Sequence, residues 1–148
     1  MSSSDVQIFE NPFLVPASIF LKHVMREVPS FQTRTLVIAA SYIWRLPDTP
    51  SLETIHRLLI VALVVADKTD NDFSLLSSDY AEYFGVKTRC LNRLESWFLF
   101  MLEFRLEISW CEYVDTVGRI LDFPGKNMYQ RVVRALLSPR KSNQREFS

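Results

Sequence analysis

Between Ser51 and Asp70 the chain runs for about twenty residues without a glycine or a proline, and from Leu58 to Ala66 every residue is apolar. The Val and Ile content would suit a buried strand, and periodicity alone does not separate the two readings. Length does, because strands in globular proteins seldom exceed about ten residues. The segment is therefore expected to be a helix, about Leu52 to Asp70. A helix apolar nearly all round is enclosed by other elements rather than lying on a surface. The apolar run also falls well short of the ~20 residues that span a bilayer, so no membrane partner is expected.

The rest of the chain supplies helices to enclose it. Residues 1–15 read as an N-terminal arm whose Phe9, Phe13 and Leu14 are placed to dock back on the body. Proline is tolerated in a first helical turn, so Pro16 opens a first helix. That helix carries Ile19, Phe20, Val24 and Val28 at helical spacing and stops before Pro29. A second helix fits Thr33 to Leu46, followed by the turn Pro47-Asp48-Thr49-Pro50. Thr49 is a candidate cap for the third helix with Pro50 at its first position; Ser51 is the alternative. A fourth helix, about Ser77 to Phe84, ends at Gly85, and a fifth runs about Lys87 to Leu102. A sixth covers Ser109 to Leu121 before Pro124-Gly125, and a seventh Asn127 to Leu137. The chain holds three glycines, none before Gly85, which counts against hairpins and glycine-rich phosphate loops. All-α is the expected class, and 148 residues suit one domain with a real core.

Three spaced stretches carry a family resemblance. His56-Arg57-Leu58-Leu59-Ile60 followed by Ala66-x-Lys68 resembles the third helix of the phosphate-regulon (P/U) type cyclins, known from fungi and protozoa. Leu91-Asn92-Arg93-Leu94-Glu95, then Phe98-Leu99, then Phe104-Arg105-Leu106, is similar to their fifth helix and its exit. Tyr42-Ile43-x-Arg45-Leu46 matches the end of the second. The resemblance implies a single cyclin box over residues 16–108, a five-helix bundle around its third helix. Residues 109–137 then form a C-terminal helical extension, and residues 138–148 a disordered basic tail.

It further implies a regulatory subunit that binds and activates a cyclin-dependent protein kinase, without catalysis of its own and without a cofactor. The kinase C-helix would dock between the third and fifth helices. Lys68 and Glu95 match the family's lysine and glutamate, which lie close together and bond the kinase backbone. Leu99 and Phe104 match apolar positions that receive the C-helix. A lysine donates to carbonyls and a carboxylate accepts from amides, so such a pair grips a backbone without reading side chains. It is equally compatible with an internal Lys68–Glu95 salt bridge.

The sequence departs from the family at several positions. Trp44 stands where most cyclins have an aspartate paired with a first-helix arginine, so that bridge is expected to be absent or rebuilt. Lys87 replaces a serine cap, with Thr88 a poorer candidate, and Asp67 replaces an alanine. The first helix lacks the substrate-docking motif of mitotic cyclins, which argues against substrate recruitment by that route.

No other chemistry rises from the sequence. His23 and His56 have no cysteine or acidic neighbours at metal spacing. Asp67, Asp70 and Asp72 resemble a loose calcium site, but the glycine and glutamate positions of an EF-hand loop hold Asp72 and Ser78. Cys90 and Cys111 are expected to be buried, reduced thiols of a cytoplasmic or nuclear protein. Net charge is zero, yet residues 124–148 hold six Lys/Arg against Glu146 alone, about +5, so the body is acidic. Ser138-Pro139-Arg140-Lys141 fits the proline-directed, basic-downstream pattern that such kinases phosphorylate, which makes Ser138 a candidate phosphosite. The alternative function is a helical adaptor like general transcription factor IIB, which shares the fold. Such proteins carry two repeats and a basic surface, so nucleic acid is not the expected partner here.

Overall fold

The computed structural model describes residues 16–139. Among them the chain forms seven α-helices and no strand: α1 Ala17–Glu27, α2 Thr33–Arg45, α3 Ile55–Asp70, α4 Ser77–Phe84, α5 Thr88–Met101, α6 Trp110–Leu121 and α7 Met128–Leu137. The arm and the tail beyond Pro139 lie outside the described residues.

Several of the helices begin or end for a local reason. The Pro16 carbonyl accepts the Ile19 and Phe20 amides at 3.1 and 2.9 Å, opening α1, and Val28 turns extended before Pro29. Gly85, at φ 70°, closes α4 in the left-handed region that glycine enters at little cost. Ser109 and Asn127 cap α6 and α7, accepting the amides of Glu112 and Gln130 at 3.1 and 3.0 Å. Lys87 offers α5 no side-chain cap, as its replacement of a serine implies.

Helix α3 starts three residues later than its composition suggests. The Ser51 amide donates to Thr54 Oγ1 at 3.0 Å, and Ser51 Oγ accepts the Glu53 amide. Residues 52–54 are thus wound into a turn before the regular helix, which Thr54 precedes without a side-chain cap, so neither Thr49 nor Ser51 caps it.

From Leu58 to Asp67 every residue of α3 is buried. It packs on α2 along most of its length, and on α1 and α5. Helix α2 in turn lies between α3 and α6, which explains why Thr35 to Ile43 is buried without a break. A buried hydroxyl pair, Ser41 Oγ with Thr116 Oγ1 at 2.8 Å, joins α2 to α6. Helix α7 packs on α1, and Ile120, Val132 and Leu136 belong to the same core as α3. Among the described residues no helix is long and apolar enough to cross a membrane.

Two expectations need correction or refinement. Cys90 and Cys111 are exposed, not buried. The inward face of α5 is marked by Leu91 and Phe98, two turns apart, and that of α6 by Thr116 and Ile120. Cys90 lies a quarter-turn or more off the first, and Cys111, five residues from Thr116, lies opposite the second. Trp44 makes no ion pair to α1, and the Arg119 guanidinium of α6 lies 5.6 Å from its ring centroid. A cation–π contact there joins α2 to α6.

Candidate functional site

The last turn of α3 sends neighbouring side chains in two directions. Asp67 points inward and is 2% exposed, an expensive place for a carboxylate unless it is well bonded. It accepts from Ser30 Oγ at 2.6 Å and from the Tyr80 hydroxyl, so it fastens the α1–α2 loop and α4 to the end of α3. The loose calcium cluster is dispersed: Asp70 pairs with Arg34 at 2.9 Å, and no metal-holding group of acids, His or Cys occurs among the described residues.

Lys68, next in the chain, turns to the rim. Its Nζ donates to both carboxylate oxygens of Glu95, at 3.0 and 3.2 Å, and to Ser77 Oγ at 2.7 Å. An ammonium has three donors, so each is engaged. It also lies 5.8 Å from the Tyr80 ring centroid. Docking Tyr80 on Asp67 sets the register of α4, and the register places Ser77, nearly one turn earlier, beside Lys68. The pair is neither buried nor free: side-chain exposure is 27% for Lys68 and 16% for Glu95.

Both buried phenols hold their protons more tightly than an exposed tyrosine. For Tyr80 burial is the main cause, followed by the bond to Asp67 and the carboxylate's charge; for Tyr42 burial again dominates. The folded chain therefore binds these protons above the ordinary phenol value of 10.0, where the unfolded chain has begun to lose them. The resulting stability is fully present below that value and is lost as pH rises beyond it. Urea midpoints are expected to fall as pH rises above about 10, and to fall less in Tyr80→Phe.

One turn beyond Glu95, Leu99 is half-buried against the core. The chain leaves α5 through Glu103 and Phe104, both left-handed at φ 54° and 56°, with the Phe104 amide donating to the Leu99 carbonyl at 2.9 Å. Phe104 is 67% exposed and Phe100 70%; with Arg45, Leu46, Pro47, Met101 and Glu103 they line a cleft of about 660 Å³. Beside Ser77 on the α3–α4 connection, Phe73 and Leu76 also stand out to solvent. An ion pair with unused acceptor capacity on Glu95 thus has exposed apolar residues on the elements at either side. Such a surface suits a partner's backbone and an apolar helix rather than a small-molecule reaction.

Lys68, Glu95 and Leu99 are thus brought to one edge of the bundle, with Phe104 folded back on the end of α5. Ser138 sits half-buried at the end of α7, its amide bonded to Arg134 and Ala135 carbonyls; Arg140 and Lys141 lie outside the described residues. Ser77, Phe73, Leu76 and Phe100 were not singled out by sequence. Phe100 alone carried a usable signal, since it shares the outward face of α5 with Arg93 and Ser96, where an aromatic has no core to serve.

Comparison with known proteins gives a concordant result. The family model described as Cyclin matches residues 9–106. The chain is similar to Cyclin-U2-2 of Arabidopsis thaliana, 32% identical over 109 residues, which covers 66% of this chain and 46% of the relative. It is 38% identical over 77 residues to Cyclin-P3-1 of Oryza sativa subsp. japonica, covering 49% of this chain and 33% of the relative. To PHO85 cyclin-7 of Saccharomyces cerevisiae it is 40% identical over 55 residues, covering 37% of this chain and 19% of the relative. In each case the match spans less than half of the relative's own length. No solved structure gives a significant match to the chain.

Proposed function

The chain belongs to the cyclin family, and from that premise we propose that it is a regulatory subunit that binds and activates a cyclin-dependent protein kinase and performs no catalysis itself. The observation that carries this reading is the Lys68–Glu95 pair, held at the rim between α3 and α5 with outward aromatics on the neighbouring segments. The kinase C-helix lies along Leu99 and Phe104 while the pair bonds the kinase backbone at its end. Protein kinases require a C-helix glutamate to pair with the strand lysine that holds the ATP phosphates. A subunit that binds only the helix-in state shifts the kinase population to activity by its differential affinity. The contact should bury more than about 1,000 Å² in total.

In this reading residues 16–108 are the box, 109–137 its helical extension and 138–148 a basic tail. Ser138 is a substrate of the partner kinase, which would first have to open the end of α7 to extend the chain there.

Phosphotransfer by a panel of cyclin-dependent kinases, with and without the protein, tests the proposal. The panel should include the kinase for which the yeast relative PHO85 cyclin-7 is named. Stimulation by at least one kinase, with phosphate on Ser138 by mass spectrometry, is the expected result. Binding without stimulation would reduce the protein to a scaffold, and an unmodified Ser138 in an active complex would remove the phosphosite. No binding to any kinase, together with a gel shift on nucleic acid at physiological salt, would favour the transcription-adaptor reading.

A further inference from the structure

Glu103 and Phe104 adopt a backbone conformation that side-chain-bearing L-residues avoid, and they do so in succession. Such geometry persists only where the surroundings over-determine it. Here the surroundings are two side chains of α2. Arg45 Nη1 donates to the Arg105 carbonyl at 2.5 Å, Nη2 to the Glu107 carbonyl at 2.6 Å, and the Tyr42 hydroxyl to the Leu106 carbonyl between them at 2.7 Å. Three consecutive carbonyls are thus taken by residues one turn apart on one helix. Arg45 is itself braced from α6, where Glu112 accepts from Nε and Nη2 at 3.0 and 2.7 Å. The planar fork of an arginine can serve both carbonyls and the carboxylate at once; a lysine, as a point charge, cannot.

Resting on the docking reading above, we propose that Arg45, with Tyr42 beside it and Glu112 behind it, is the positioning residue that presents Phe104 to the kinase. Arg45 touches no partner in this scheme. It pulls the 105–107 backbone onto α2, and the pull holds Phe104 turned outward immediately before that segment. Without the clip the exit from α5 relaxes to right-handed or extended geometry, and Phe104 is no longer held where the C-helix would meet it.

A double-mutant cycle on the full chain tests this, with the kinase that responds in the panel as the probe. Arg45→Ala is expected to weaken binding about tenfold in the otherwise native chain, but by no more than about twofold when Phe104 is already alanine. Arg45→Lys should recover only part of the loss. Amide exchange at Phe104 and Arg105, whose N–H groups bond the Leu99 and Leu102 carbonyls, should quicken in Arg45→Ala while the amides of α3 do not. If Arg45→Ala loosens the whole bundle, Glu112→Gln weakens the brace alone and should show a smaller loss of the same kind. Additive losses, or unchanged exchange at Phe104, would overturn the proposal. So would a Phe104→Ala chain that binds normally while Glu95→Ala binds poorly, an outcome that leaves the docking reading standing. If the Lys68, Glu95 and Phe104 variants all bind as the native chain does, the docking reading itself fails.

Discussion

Glu95→Ala is expected to lower affinity for the partner kinase on the order of 100-fold while leaving helicity unchanged. Truncating one member of a desolvated, hydrogen-bonded charge set at an interface typically costs about 2–5 kcal/mol. In the free protein the same residue does less, because the Lys68–Glu95 contact is partly open to water and its loss falls short of the about 3–5 kcal/mol of a fully buried pair. Lys68 also keeps Ser77 as an acceptor after the substitution. A large loss of binding beside a small loss of stability is therefore the signature of a docking pair, whereas a purely structural pair gives the reverse ratio. Lys68→Ala should behave alike. Titration calorimetry of both variants against the kinase, with urea melts in parallel, separates the cases. Affinities within about twofold of native would refute the docking role of the pair.

Asp67→Ala is expected to destabilise the fold by about 2–3 kcal/mol, although the family resemblance implies an alanine at this position. By the resemblance alone the change looks neutral. In this bundle it leaves the buried Tyr80 hydroxyl and the half-buried Ser30 hydroxyl without their shared acceptor, and it opens a small void between α3 and α4. Asp67→Asn, which keeps an acceptor oxygen, should recover part of the loss. The urea midpoint is the measure, and an unchanged midpoint for the alanine variant would mean that the two hydroxyls find other partners. The effect should reach the rim as well, since Tyr80 sets where Ser77 meets Lys68.

The parts of the fold that were legible are those written in local chemistry. The long run free of glycine and proline announces α3, Gly85 the end of α4, and Ser109 and Asn127 the starts of α6 and α7. What was not legible depends on residues distant in the chain. Asp67 reads in the sequence as one of a loose acidic cluster and as a departure from the family's alanine, and its buried role exists only because Ser30 and Tyr80 arrive from 37 and 13 residues away. The Arg45–Glu112 brace spans 67 positions. The left-handed exit through Glu103 and Phe104 bears none of the glycines that usually mark such a turn. Within the candidate site, the resemblance supplied Lys68, Glu95, Leu99 and Phe104. It was silent on Ser77, Phe73, Leu76 and Phe100, which extend the surface around them.

The full engagement of Lys68 has a consequence for how association is driven. A freely solvated lysine loses up to about 2 kcal/mol of rotamer entropy when a partner immobilises it. Here that ordering is completed when the chain folds, because Glu95 and Ser77 already hold the ammonium. In the complex proposed above, a kinase carbonyl arriving at the rim need only take the place of the Ser77 hydroxyl, exchanging one neutral acceptor for another. Most of the free energy of the apolar contact is then left to set the lifetime of the complex rather than to still a mobile side chain.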